Sequence, residues 1–335
     1  MLFKQFWLWT LAASLALCGC AGKSFGMIAD PDRIYIHHFA TALFQWIETD
    51  DPEVLHALLC DYPQMLAMLD NALFKTNLDD SIAFFSRLKD YYADPSLQSL
   101  YKDAITVFDA DAPATKQVEN ELSLGFTRLK SMLPTLQVPA VYMHVSGLQQ
   151  NIIVADSLLS FSIDKYLGRD YPLYKEFFHG YRLKDMTPEC AASDGLYAWL
   201  ASEYPYREKA SDLLELMVYE GKLIHLLTQA GCNYTPQHLM SLTDADYQWC
   251  LKNESAIWKT LFARKHAETT EKATIARYFH PAPSVFFSED APGNLGKFVG
   301  YRIVAKYMQQ TRESCQHLMN HCDAQEILKK SKYKP

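Results

Sequence analysis

The stretch Ser211–Gln229, SDLLELMVYEGKLIHLLTQ, constrains the fold more than any other part of the sequence. At about 3.6 residues per turn, its apolar side chains form one stripe of a helix, and Glu220 lies inside that stripe. An ionised carboxylate that is buried without a partner costs several kcal/mol. Glu220 therefore needs a cation, a metal or a set of hydrogen-bond donors, or else it keeps its proton.

Gly221 follows Glu220 directly, in the middle of the predicted helix. A glycine at such a position costs about 1 kcal/mol relative to alanine, so it indicates that another backbone packs closely there. A purely structural explanation of Glu220 stays open beside a functional one. In that explanation, Glu220 forms a buried salt bridge with Lys222 of a neighbouring copy or with an arginine elsewhere.

The first residues are predicted to be a secretion signal. Lys4 supplies a positive start, and the apolar run Phe6–Leu17 is too short for a stable membrane anchor. The following Cys18-Gly19-Cys20 resembles the end of a bacterial lipoprotein signal, which makes Cys20 the expected lipidated residue and Cys18 a weaker alternative. Acyl chains on Cys20 would attach the mature chain permanently to a membrane. Ala21, with no acidic run after Cys20, favours the outer membrane and a body facing the periplasm.

The composition of the 335-residue chain excludes one class of function and permits a large core. It has 32 Lys and Arg against 39 Asp and Glu, so it lacks the basic footprint that nucleic acid requires. With 49% apolar residues it can bury a sizeable core. We expect the following organisation, with the last two regions packed as one unit: signal peptide 1–19, lipidated tether 20–32, N-terminal helical region 33–134, and sheet plus helical region 135–335.

Local signals predict a mainly α fold of the α+β class. Breaks at Asp50-Asp51-Pro52, Tyr62-Pro63, Asp94-Pro95 and Asp109–Pro113 divide residues 39–133 into four or five helices. Three β-rich runs follow, at 140–146, 151–156 and 158–163, and predict a small antiparallel sheet. Further helices are predicted from Pro188 to Glu203, from 211 to 229 with Gly231 as the stop, from 244 to 266, from 296 to 307, and from about 323.

The order of these elements resembles that of gluzincin-type zinc peptidases. There, two histidines four residues apart flank a glutamate base, and a glutamate of the next helix is the third ligand. Glu220-Gly221 fits the third ligand, but Ser193–Trp199 stands where the histidine pair should lie and contains no histidine. A closed zinc site would then have too few ligands, and we expect no cofactor.

Several short motifs carry a second, more extensive resemblance. They are Val141-Tyr142 with Ser146-Gly147, Ile163–Tyr171, Met217–Lys222, Trp249-Cys250 with Asn253-Glu254 and Ile257-Trp258, Pro292-Gly293 with Gly300, and Asp323–Gln325 with the terminal Ser331–Pro335. In this order they resemble the gliding motility-associated lipoprotein GldB family of Bacteroidota over residues 30 to 335. The resemblance implies a lipoprotein of the cell envelope and a multi-helical, gluzincin-like body.

These observations favour a catalytically inactive, peptidase-like protein with a binding or assembly role. Its former cleft would grip an envelope protein, a peptide or a glycan. Six polar residues are the candidates for this cleft: Asp164, Asp194, Glu220, Lys222, Asn253 and Glu254. The alternative is an active hydrolase that uses another metal set or carboxylates alone, with Asp194 and Glu220 as an acid–base pair.

One further pattern has the spacing of metal ligands. His317 and His321 are four residues apart and fall on one face of a predicted helix, between Cys315 and Cys322. Leu318 stands where a catalytic glutamate would be expected, and no third ligand is evident nearby. Surface histidines or a disulfide between the two cysteines explain the pattern more simply than a metal site.

Overall fold

The structure is a computed structural model that describes residues 33–71, 81–149, 152–206, 212–231, 234–284 and 286–335. These residues belong to one compact unit, Asp32–Pro335. The predicted signal peptide and the lipidation site Cys20 lie outside the described residues. The mainly helical class with one small sheet is confirmed. Within the described part, no helix is both long and apolar enough to span a membrane.

The N-terminal region consists of helices that begin and end at the predicted breaks. Their bounds are α1 Phe39–Thr49, α2 Pro52–Asp61, α3 Pro63–Leu69, α4 Ser81–Tyr92, α5 Pro95–Val107 and α6 Pro113–Met132. Proline occupies the first turn of α2, α3, α5 and α6, where its missing N–H costs nothing. Asp51 and Asp94 cap α2 and α5 by accepting hydrogen bonds from backbone N–H groups. The described residues of this region form six helices, where four or five were expected.

The sheet has four strands in the order β1-β2-β4-β3. Their bounds are β1 Ile36–His37, β2 Ala140–His144, β3 Ile152–Ala155 and β4 Leu158–Ser162. The hairpin of β3 and β4 is antiparallel, but β1 and β4 both pair with β2 in parallel. The predicted antiparallel sheet is therefore wrong, since the sheet is mixed.

The loop after β2 is hydrogen-bonded to Asp164, a residue beyond β4. Gly147 and Leu148 in this loop adopt positive φ angles of 66° each. All five residues of β4 are buried, and this strand takes the central position between β2 and β3. A 3-10 turn, Ile163–Lys165, follows β4 and brings Asp164 under the loop.

The remaining helices cover the sheet and form the C-terminal body. Their bounds are α7 Tyr174–Phe177, α8 Gly180–Leu183, α9 Pro188–Glu203, α10 Leu213–Ala230, α11 Pro236–Leu239, α12 Asp244–Ala263, α13 Lys272–Phe279, α14 Leu295–Thr311, α15 Cys315–Asn320 and α16 Ala324–Ser331. Gly231 ends α10 in a left-handed conformation, as predicted. Helix α9 lies on the sheet through Gly195, where a Cβ atom would be only 2.3 Å from the Phe161 ring.

Helices α10 and α14 cross at two glycines. A Cβ atom on Gly221 would lie 2.3 Å from the carbonyl of Gly300, and one on Gly300 would lie 1.7 Å from the Met217 carbonyl oxygen. Both distances are far below van der Waals contact. The close backbone approach that Gly221 predicted is confirmed, and it brings the first turn of α14 next to Glu220.

Candidate functional site

Three side chains from three helices meet at Glu220. The Tyr197 hydroxyl of α9 donates a hydrogen bond to Glu220 Oε2, and Lys297 Nζ of α14 lies 3.8 Å from the same oxygen. The Lys297 ammonium is also 5.1 Å from the centre of the Tyr197 ring, within reach of a cation–π interaction. The side chains of Glu220 and Lys297 are only 16% and 22% exposed. The buried acid therefore has a cation and a phenol as partners, and that cation is Lys297.

Asp194 lies on the same helix as Tyr197, one turn earlier. Its Oδ2 accepts a hydrogen bond of 3.0 Å from the Tyr166 hydroxyl. Burial raises the pKa of Asp194 to about 7; the Tyr166 hydrogen bond opposes the rise, the charge of Asp185 adds to it and that of Lys297 opposes it. This carboxyl can thus hold or release a proton near neutral pH. We call Tyr166, Asp194, Tyr197, Glu220 and Lys297 the polar cluster.

A serine and a histidine border the polar cluster. Ser193 Oγ donates a hydrogen bond of 2.9 Å to the Cys190 carbonyl and lies 2.9 Å from His238 Nε2. The Ser193 hydroxyl thus contacts both the Cys190 carbonyl and the His238 imidazole. Burial lowers the pKa of His238, and the charges of Asp185 and Glu121 oppose this effect.

The titration of Asp194 gives a testable dependence of stability on pH. Because its pKa is raised in the folded state, its protonated form stabilises the protein below about pH 4, and this contribution is lost as the pH rises through about 7. From pH 5 to pH 8.5, the free energy of unfolding of Asp194→Asn should rise by roughly 1–2 kcal/mol relative to that of the wild type. This range allows for partial solvent access to the carboxyl. Urea unfolding at both pH values measures this difference.

Asp103 provides the matched control for this experiment. It is exposed and accepts a hydrogen bond of 2.8 Å from the Tyr171 hydroxyl, so it reproduces the Tyr–Asp contact at the surface. Asp103→Asn measures what the loss of such a contact costs at the surface, outside the polar cluster. A constant difference between Asp194→Asn and the wild type across the pH range would contradict the assignment.

The other predicted cleft residues lie elsewhere. Asp164 is fully buried and accepts hydrogen bonds from Ser146 N, Leu148 N and Ser162 Oγ, at 3.2, 2.6 and 2.5 Å. Burial raises its pKa, and these hydrogen bonds oppose the rise. Asp164 therefore holds the loop after β2 against the end of β4. Lys222 is buried on α10 and donates a hydrogen bond to the carbonyl of His321.

Glu254 and Asn253 have structural contacts on α12. Glu254 accepts two hydrogen bonds from the Arg302 guanidinium, at 2.8 and 3.3 Å, and a third of 2.8 Å from the Tyr333 hydroxyl. This network ties the C-terminal tail to α12 and α14. Asn253 Nδ2 donates to the Trp249 carbonyl within its own helix, at 2.9 Å.

The two histidines with metal-ligand spacing point to different carboxylates. His317 Nε2 is 2.9 Å from Glu313 Oε2, and His321 Nε2 is 3.4 Å from Glu326 Oε2. Cys315 and Cys322, which flank them, are free thiols. In the part of the chain that the structure describes, there is no group of three or more His, Cys, Asp or Glu side chains that could hold a metal ion.

Asp194 and Glu220 were predicted from the sequence, but the partners of Glu220, Tyr197 and Lys297, were not. Tyr197 had a detectable signal, because it is four residues after Ser193, the spacing of the histidine pair in a zinc peptidase. Lys297 had no such signal. It reaches Glu220 only because the two glycines let α14 approach α10 closely.

The fold and the site define a mainly helical α+β protein with a half-buried cluster of acids, tyrosines and one lysine. The family model described as gliding motility protein GldB matches residues 28–335, and the chain belongs to this family. Its members are lipoproteins related to gliding motility, attached by lipid to the cell envelope. No curated protein and no solved structure matches the chain significantly.

Proposed function

We propose that this lipoprotein has a binding or assembly role in the envelope and that its peptidase-like site is catalytically inactive. The supporting observation is the contact of Tyr197 and Lys297 with Glu220. By the resemblance to zinc peptidases, Glu220 would be the third ligand, and Tyr197 lies in the segment Ser193–Trp199 where the histidine pair would be expected. A metal would need the Glu220 carboxylate as a ligand, but this carboxylate already accepts a hydrogen bond and lies beside an ammonium group.

The proposed role also fits the arrangement of the chain. Cys20 would carry the acyl chains, residues 20–32 would be the tether, and the helical body would face the periplasm from the outer membrane. The polar cluster is neutralised internally by Lys297, so its role would be to stabilise the packing of α9, α10 and α14. A partner protein, a peptide or a glycan would bind the surface of this body.

Metal content and turnover test the proposal. We expect the purified mature lipoprotein, dialysed against zinc, to retain far less than one zinc per chain and to hydrolyse no peptide library. Glu220→Gln, which keeps the shape of the side chain, should leave both results unchanged. Stoichiometric zinc, or turnover that disappears in Glu220→Gln while the protein stays folded, would contradict the proposal.

A second candidate function is favoured by one observation, the pKa of Asp194. A carboxyl that titrates at about 7 is suited to general acid–base catalysis at neutral pH. In this alternative, Asp194 transfers the proton in the hydrolysis of an envelope peptide or glycan. It requires turnover that titrates near pH 7 and is lost in Asp194→Asn, with folding intact.

A further inference from the structure

A separate cavity lies between α10 and the segment that connects α15 and α16. Its volume is about 560 Å³, which is in the range of small-molecule sites. Tyr204, Tyr206 and Tyr219 form an aromatic wall, and Val218 and Met319 add apolar surface. Tyrosine walls of this kind suit a ligand with an aromatic or branched apolar body.

Lys222 is a buried cation in the described lining of this cavity. The residue is only 8% exposed, and its ammonium donates to the His321 carbonyl at the cavity wall. Among the described residues, Lys222 has no ion pair, whereas the half-buried Lys297 and Arg302 each contact a glutamate. A buried ammonium without a counter-ion is unfavourable, and an anion bound beside it would relieve this cost.

The surroundings limit the charge of that anion. Glu203 also lines the cavity, so a ligand with several negative charges would be repelled. Burial lowers the pKa of Lys222 to about 8, with the nearby Cys322 opposing the shift, and the amine is still mostly protonated at pH 7. One negative charge next to an apolar body is therefore the best match.

We propose that this cavity binds an organic monocarboxylate, with the carboxylate on Lys222 and an aromatic or branched apolar body against the tyrosine wall. A free organic acid and the C-terminus of a peptide both have this chemistry. The site is distinct from the polar cluster, so the proposal does not depend on whether that cluster is catalytic.

The test compares an acid with its amide on the unmodified protein. Calorimetric titration of the mature lipoprotein in detergent should show binding of N-acetyl-phenylalanine and at least tenfold weaker binding of N-acetyl-phenylalaninamide. A tetrapeptide that ends in a free phenylalanine and its amidated form are the second pair. If that peptide binds at least as tightly as the single residue, the natural ligand is a peptide C-terminus. If it binds much more weakly, the ligand is a small acid.

Two variants assign the binding to Lys222. We expect Lys222→Met to weaken binding of the acid at least tenfold. Lys165→Met is the matched control, because Lys165 is also 8% exposed and donates to a backbone carbonyl, that of Leu148, but does not line this cavity. It should leave the affinity unchanged. Equal binding of acid and amide, no binding of either, or full binding by a folded Lys222→Met would overturn the proposal.

Discussion

Replacement of Gly300 by alanine should lower the free energy of unfolding by about 3 kcal/mol or more, or prevent folding. The added Cβ atom would lie 1.7 Å from the Met217 carbonyl oxygen, and a backbone atom inside a helix cannot move aside as a side chain can. Helices α10 and α14 would have to separate. Lys297 lies one turn before Gly300, so the separation would also pull its ammonium away from Glu220.

A graded set of glycines makes this expectation specific. Gly296→Ala should cost less than Gly300→Ala, because its Cβ atom would meet the Phe279 ring at 2.7 Å, and a ring can rotate. Gly180→Ala, with no atom within 4 Å of the new Cβ, should be close to neutral. Urea unfolding of the three variants gives the order. A Gly300→Ala variant as stable as Gly180→Ala would show that the helices do not cross in this way.

The helices were predictable because their signals are local. Pro52, Pro63 and Pro95 each mark a helix start, and Gly231 marks a helix end; the structure confirms all four. The pairing of the sheet was not predictable from such signals. Strand β2 pairs in parallel with β4, which follows it only after β3, and this long-range contact has no local signal.

The candidate site was predictable only in part, for a related reason. An acid inside an apolar stripe indicates that a partner exists, and Glu220 has one. The identity of that partner depends on which helix crosses α10, and this crossing is decided by long-range packing of Gly221 and Gly300. Lys222 shows that closeness in sequence is not enough. It follows Glu220 by two residues but lines a cavity that includes no residue of the polar cluster.

Asp164→Ala should lower the free energy of unfolding by about 3–4 kcal/mol, because two backbone N–H groups would lose their acceptor and the Ser162 hydroxyl would keep only Ser146 Oγ. The ionised carboxylate is itself costly to bury, as its raised pKa indicates, so part of the loss is offset. Asp164→Asn keeps one acceptor oxygen and should cost about half as much. Ser162→Ala removes only one of the three donors and should cost about 1 kcal/mol.

Amide hydrogen exchange separates this role from a general loss of stability. In Asp164→Ala, the amides of Ser146 and Leu148 should exchange much faster under native conditions, because their acceptor is the Asp164 carboxylate. The exchange rates of amides at the α10–α14 crossing should change only as far as global unfolding changes. If the loop amides kept their protection in a folded Asp164→Ala, the carboxylate would not be what holds the loop.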